Sequence, residues 1–369
     1  MLGVRLIRHL TGPAALGAVL LVLGGCTSTT QGVATVPAPT ASTGVGQPSP
    51  FLGANLASVG CGTTLRCAAG AVSFDPNPSS APLTTSDDGG LSWHHATGSL
   101  PASAEFLSVG CAATVCMAAG RSLYGALAYV SAKPGAPWKQ TSSIGAGSVT
   151  QSVACAGLRW CMALVSGSTH VFSATTLSAG GSWTAGGSLP DGTGTIQRLS
   201  CSSTTHCLAA GSTSTGQAEL AMTADGGATW TASSLPSSPV VVGVVGAACR
   251  VDATCLAVVT TNSTGASTII ESTDGGATFT ELLDPSTGPL SQPQAVSCVA
   301  TTCVIVGRSS SGAGAALQMT TNEKSRPFSL SYVPTALLAV SCPTAARCVA
   351  ATTASLVVLS PSVPQTTQH

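Results

Sequence analysis

An all-β, repeated architecture is predicted by three observations. Charge and helix formers are scarce, cysteines recur in close pairs at a near-constant step, and a Gly-rich turn motif recurs about midway between the pairs. Only 7% of the 369 residues are charged, 4% are aromatic, and the formal net charge is zero. Gly, Ala, Ser, Thr and Val dominate, and no long window carries a 3.6-residue apolar stripe. Short runs of Val, Thr, Ala and Leu, broken by Gly, Ser, Pro and Asp-Gly, are strand signals. One sandwich is too small for this length, so the strands belong to a repeat.

The first element is a targeting segment, residues 1–25. Arg5 and Arg8 supply positive charge, Ala14 to Leu23 is an apolar core, and Gly24-Gly25 precedes Cys26. That order is a secretory signal peptide. The core is about ten residues, short of the roughly 20 that a spanning helix needs. The stretch Leu23-Gly24-Gly25-Cys26 resembles a bacterial lipobox. The resemblance implies lipid on Cys26, cleavage just before it, and a protein held by that lipid on the outer side of the cytoplasmic membrane. Residues 26–50 follow as a Thr/Ser/Pro/Gly/Ala tract without charge. Such a tract cannot bury a core and is expected to be a tether with a reach of roughly 25–30 Å.

Residues 51–369 carry the repeat. Beyond Cys26, fourteen cysteines form seven close pairs: Cys61 and Cys67, Cys111 and Cys116, Cys155 and Cys161, Cys201 and Cys207, Cys249 and Cys255, Cys298 and Cys303, Cys342 and Cys348. First cysteines step by 50, 44, 46, 48, 49 and 44 residues. An apolar strand leads into each first cysteine, and a small-residue strand is expected to start at each second one. An oxidising compartment turns such pairs into disulfides across a hairpin. Zinc is the rival reading, but the pairs lie more than forty residues apart and the six histidines do not track them. No metal and no cofactor is expected.

The turn motif reads SDDGGLSW at Ser86–Trp93, TADGGATW at Thr223–Trp230 and STDGGATF at Ser272–Phe279. Degenerate copies end at Trp138, Trp183 and Phe328, where Lys133, Ser178 and Glu323 replace the aspartate. The pattern resembles the Asp-box, or BNR repeat, of the sialidase superfamily, sortilin-type receptors and the photosystem II stability/assembly factor family. The likeness covers about residues 51–330. It implies a tight turn between third and fourth strands in which Asp accepts backbone N–H bonds, Gly supplies positive φ and the aromatic packs between sheets. Asp88, Asp225 and Asp274 are then structural. Four strands per roughly 47 residues make a propeller blade. The prediction is a seven-bladed β-propeller with four-stranded blades and one disulfide per blade. The seventh blade lacks a box and a fourth strand, so an N-terminal strand from Gly32–Val36 or near Phe51 is expected to close the ring.

Catalytic signatures are sparse. The sialidase likeness would demand three arginines, a Tyr/Glu nucleophile pair and an acid/base residue. Arg66, Arg159, Arg250 and Arg347 sit in or beside the cysteine loops, leaving Arg121, Arg198 and Arg308 for the opposite face. Tyr124, Tyr129 and Tyr332 have no neighbouring glutamate. Serine-hydrolase, zincin, P-loop and dinucleotide motifs do not occur. No basic patch exists to neutralise phosphates, which argues against nucleic acid. His94-His95 is expected on a solvated outer strand, and His170 and His206 stand isolated. The expected function is a monomeric binding or scaffold module with an unidentified protein or glycan ligand. Glycan hydrolysis and assembly of a membrane complex are the alternatives. Hairpins and box turns share one face, so a ligand is expected on the other. Its candidates are Asp75, Arg121, Tyr124, Asp191, Asp284 and Arg308.

Overall fold

The computed structural model describes residues 47–48, 54–63, 65–73, 82–122, 125–142, 144, 149–167, 170–262, 267–283, 290–320, 323–327 and 333–360. These form seven four-stranded antiparallel sheets. Blade 1 is β2 (Ala54–Cys61), β3 (Cys67–Ser73), β4 (Leu83–Ser86) and β5 (His94–His95). Blade 2 is β6 (Glu105–Cys111), β7 (Cys116–Ser122), β8 (Gly125–Ser131) and β9 (Lys139–Gln140). Blade 3 is β10 (Val149–Ala156), β11 (Trp160–Ser166), β12 (Val171–Thr176) and β13 (Thr184–Ser188). Blade 4 is β14 (Thr193–Cys201), β15 (Cys207–Thr213), β16 (Ala218–Thr223) and β17 (Thr231–Ala232). Blade 5 is β18 (Val241–Cys249), β19 (Cys255–Thr261), β20 (Ser267–Ser272) and β21 (Thr280–Leu283). Blade 6 is β22 (Gln292–Val299), β23 (Thr302–Arg308), β24 (Gly314–Thr320) and β25 (Glu323–Pro327). Blade 7 has β26 (Ala339–Thr344), β27 (Arg347–Ala351) and β28 (Ser355–Leu359), and borrows its fourth strand, β1 (Gln47–Pro48).

Sheet order follows chain order in blades 1–6, so each first strand is innermost. The inner strands pack in sequence around an axis, with β26 returning to β2. The predicted seven-bladed propeller is therefore the observed fold. Closure comes from an N-terminal strand, as expected. Gln47 aligns with Leu356 and Pro48 with Ser355, so an N-terminal strand just before Phe51 closes the ring, while Gly32–Val36 lies outside the described residues. The closing strand lies at the end of the stretch that composition assigns to the tether. Backbone pairing at a sheet edge asks nothing of side-chain hydrophobicity, and proline is tolerated there.

The apolar core lies between blades. One cluster joins Leu83 and Phe106 across blades 1 and 2, and another joins Val349 and Leu356 to Leu56 and Val59 across the closure. The box aromatics serve these seams. Trp138 is 1% exposed between blades 1 and 2, and Phe279 is 4% exposed between blades 4 and 5. Trp93, Trp183 and Trp230 cover the seams with blades 7, 2 and 3 respectively. Each of these seams thus takes one large aromatic carried on a turn.

Those turns are built as the motif implies. Asp88 Oδ1 accepts N–H bonds from Leu91 and Ser92 at 2.9 Å, and the Ser86 hydroxyl donates to it while accepting from Gly90 N. Asp225 with Thr223 and Thr229, and Asp274 with Ser272 and Thr278, repeat the pattern. Where Ser178 replaces the aspartate, its hydroxyl still accepts from Ser182 N at 2.9 Å. Gly90 sits at φ +90°, and a Cβ there would stand 2.7 Å from Val349 of blade 7. Only glycine meets both demands.

Candidate functional site: the axial channel and the two faces

All seven expected bridges form, each within its own blade. They join Cys61 to Cys67, Cys111 to Cys116, Cys155 to Cys161, Cys201 to Cys207, Cys249 to Cys255, Cys298 to Cys303, and Cys342 to Cys348. Their Cα–Cα distances are 4.0–4.1 Å. In six blades the two cysteines are direct cross-strand partners, as Cys155 is with Cys161.

The expectation that a strand starts at each second cysteine needs correcting in three blades. β11 begins at Trp160, β23 at Thr302 and β27 at Arg347, so Cys161, Cys303 and Cys348 are second in their strands. In blades 3 and 6 the ladder continues one pair past the bridge, with Ala156 opposite Trp160 and Val299 opposite Thr302. Blade 7 departs further. Its register shifts between Ser341 and Thr344, so Thr344 faces Arg347 and Cys342 is not the ladder partner of Cys348. The short Cα–Cα distance at that irregularity still lets the bridge close.

Because the first cysteines lie at or near the ends of the inner strands, the bridges encircle one mouth of the channel. That mouth is a 390 Å³ cavity lined by all seven first cysteines, from Cys61 round to Cys342.

The same face carries the interlocks between blades, which sequence reasoning missed. Buried Arg66 of blade 1 donates through Nη1 to the carbonyls of Thr114 (2.7 Å) and Ser131 (2.9 Å), and through Nη2 to the Ser131 hydroxyl (2.5 Å). Its Nε lies 3.7 Å from Asp87. Burial pushes this guanidinium down, and Asp87 works in the opposite sense. Arg347 of blade 7 donates to the carbonyl of Asp88 at 3.0 Å, locking the closure. Buried Arg250 of blade 5 donates through Nε to Cys303 Sγ of blade 6 at 3.3 Å. His206 packs against Gly275 of blade 5, and Trp160 against blade 4. Arg66, Trp160, His206 and Arg347 all occupy the position just before a second cysteine: Cys67, Cys161, Cys207 and Cys348. That shared register is the signal that could have found them. His206 also stands within 4.8 Å of both Cys249 and Cys255 sulfurs, which are spent in a disulfide.

The opposite face holds the loops between second and third strands and the connections to the next blade. Arg121 ion-pairs near the end of β7 through Nε with Glu105 Oε2 at 2.6 Å, both at the surface. Asp191 is exposed in the turn before β14, and Arg308 is exposed at the end of β23. The topology puts all three at this face, in blades 2, 4 and 6, without gathering them into one cluster. Asp75, Tyr124 and Asp284 lie outside the described residues, as does Cys26. His94 and His95 are exposed on the outermost strand of blade 1, as expected.

Two further groups were not singled out as a site. Glu219, 8% exposed, is the one buried acidic side chain among the described residues. The Thr193 hydroxyl donates to its Oε1 at 2.5 Å and Oε2 has no partner. Burial raises its pKa, and the Thr193 bond opposes that rise. Arg198 is the second group. Grouped by sequence with Arg121 and Arg308, it instead lines the axial cavity of about 180 Å³ formed by all seven inner strands. It is the one ionisable side chain among the described lining residues.

No family model and no curated protein sequence matches the chain. Solved structures do. YCF48 bound to D1 peptide superposes with a TM-score of 0.60 at 14% identity, covering 86% of this chain and 96% of that one. YCF48 from Cyanidioschyzon merolae gives 0.58 at 11%, covering 85% and 98%. Selenomethionine-substituted virginiamycin B lyase from Staphylococcus aureus gives 0.62 at 9%, covering 86% and 98%. At such identities the likeness is one of fold: β-propellers that serve as an assembly factor in one case and as a lyase in another.

Proposed function

We propose that this chain is a lipid-anchored binding propeller, tethered through Cys26 outside the cytoplasmic membrane and catching a protein segment on the face opposite the disulfides. The observation that carries the reading is the asymmetry of the two faces. One mouth is spent on seven bridges and on interlocks through Arg66, Arg250, His206 and Arg347. The other carries Arg121 and Arg308 at strand ends and Asp191 on a turn, and none of these three side chains bonds to another blade among the described residues. Loops on a rigid scaffold are where recognition concentrates. Cysteine arithmetic supports the anchor, since seven bridges leave Cys26 as the remaining one of fifteen cysteines. The fold likeness to a propeller whose structure holds a D1 peptide favours a protein segment over a glycan, and with it a role in assembling a membrane complex. A retaining glycosidase would need two carboxylates about 5–5.5 Å apart. The described lining of the channel offers one arginine, serine hydroxyls and backbone instead.

Capture from solubilised membranes tests this. Arg121→Ala with Arg308→Ala should weaken retention of the partner while leaving the melting temperature unchanged. Loss of capture on changing Leu158 or Val251, which are exposed on the disulfide face, with no effect of the arginine pair, would overturn the assigned face.

A further inference from the structure

The inner-strand position three residues before each first cysteine forms a ring around the axis. It reads Ser58, Ser108, Ser152, Arg198, Gly246, Ala295 and Ala339 from blade 1 to blade 7. Six blades put a small residue there and one puts the longest cation available. The Arg198 side chain makes one hydrogen bond, from Nη1 to the carbonyl of its neighbour Gln197 at 2.9 Å. No carboxylate lies within ion-pairing distance of it among the described residues. Four of its five N–H donors therefore find no partner among the described residues.

The hydroxyls around it are biased the same way. Each inner strand is a sheet edge whose N–H groups need acceptors, and serines of the neighbouring blade supply them. Ser58 accepts from Val109 N at 2.8 Å, Ser297 from Cys342 N at 3.1 Å and Ser341 from Cys61 N at 2.8 Å. With their oxygens engaged, these three serines have O–H groups that no described acceptor takes. The channel thus combines a half-buried guanidinium, which no described carboxylate pairs, with uncommitted hydroxyl donors. A guanidinium partly withdrawn from water loses some of its solvation, and charge-assisted bonds to an anion offset that loss. Burial lowers the Arg198 pKa, yet a guanidinium stays charged at neutral pH.

We propose that the axial channel is a binding site for a small oxyanion, of the size of phosphate, sulfate or a short carboxylate, held by Arg198. Size sets the class. The cavity of about 180 Å³ holds several times the roughly 30 Å³ share of one water. It is smaller than the ~300–1,000 Å³ typical of drug-sized ligands. The site is separate from the loops of the proposed ligand face, and its test needs no partner protein.

Equilibrium dialysis of the propeller-containing chain against labelled phosphate, sulfate and oxalate, at ionic strength fixed with chloride, reads the site directly. At least one oxyanion should saturate at one site per chain. Arg198→Met should weaken it at least about tenfold, the loss expected for a charge-assisted bond, and Arg198→Lys should fall between. No saturable binding, or equal affinity in Arg198→Met, overturns the proposal. If Arg198→Met does not fold, wild-type crystals soaked in selenate decide. An anomalous peak in the channel against Arg198 supports the site, and peaks only elsewhere, or none, overturn it.

Discussion

The two faces of this propeller are made from the same strands yet obey different rules. On the disulfide face the turns are covalently or electrostatically tied. Hairpins close with bridges, box turns with an aspartate or its substitute, and arginines reach into the next blade. On the free face the described turns rest mainly on local hydrogen bonds, such as Gly216 N to Thr213 O and Gly312 N to Ser309 O, beside the Arg121–Glu105 ion pair within blade 2 and one link from Ile196 N of blade 4 to Gln151 of blade 3. A chain with few charged and aromatic residues stabilises the ring by concentrating its scarce large and charged groups at one end.

The largest break in that comparison is removal of residues 337–369, which takes away the three strands of blade 7 and leaves β2 and β22 without β26 between them. Calorimetry should show no cooperative transition, because an open ring exposes sheet edges and half of two seams. Next comes Arg66→Ala. It orphans the carbonyls of Thr114 and Ser131 at a buried seam, so denaturant melting should show a loss of about 3 kcal/mol. Opening one bridge, as in Cys61→Ala with Cys67→Ala, should cost about 2 kcal/mol by loop closure. On the free face, Asp191→Ala should stay within about 0.5 kcal/mol of wild type. A cost on the scale of the Arg66 change would erase the contrast between faces.

Acid sharpens the contrast. Asp88 is lowered to about 2: its burial acts upward but is outweighed by bonds from Ser92, Ser86 and Leu91. Asp225 is lowered to about 2 by the Thr229 hydroxyl and N–H and the Thr223 hydroxyl. Folded values below the unfolded value of about 3.9 mean that the unfolded chain binds protons first. The stabilisation is present above about pH 4 and lost as pH falls toward 2. The melting temperature should drop through that window, and less so in Asp88→Asn. Glu219 has the opposite sign. Its raised value makes it destabilising as pH rises, so Glu219→Gln should raise the melting temperature more at pH 8 than at pH 4.

Much of this was legible in the sequence. The cysteine step and the box set blade number, strand order and turn type, because a disulfide hairpin and an Asp-stabilised turn both need fixed residues at fixed spacing. The irregular hairpin of Cys342 and Cys348 was not legible, since its spacing matches that of four regular ones while its register does not. The closing strand was legible only as a segment near Phe51 and not as Gln47–Pro48, since a two-residue edge strand in a Pro/Thr/Gly tract has no pattern to distinguish it from tether. Arg66 and Arg347 were noticed beside cysteines but not as interlocks, because their partners lie in the next blade, 48 and 259 positions away. Arg198 was grouped with Arg121 and Arg308 on the opposite face, whereas it lines the axial cavity. Counting back three residues from each first cysteine would have put it on the axis.

Hydrogen exchange followed by mass spectrometry tests the asymmetry most directly. The amides of Gly89, Gly226 and Gly275 donate to Leu65, Thr205 and Ala253 in the disulfide hairpins. They should exchange only with global opening. The amides of Gly216 and Gly312, in free-face turns, should exchange orders of magnitude sooner, by local opening. Equal protection at the two faces, or faster exchange at the disulfide hairpins, would contradict the view that one end of the ring holds it together and the other is free to recognise.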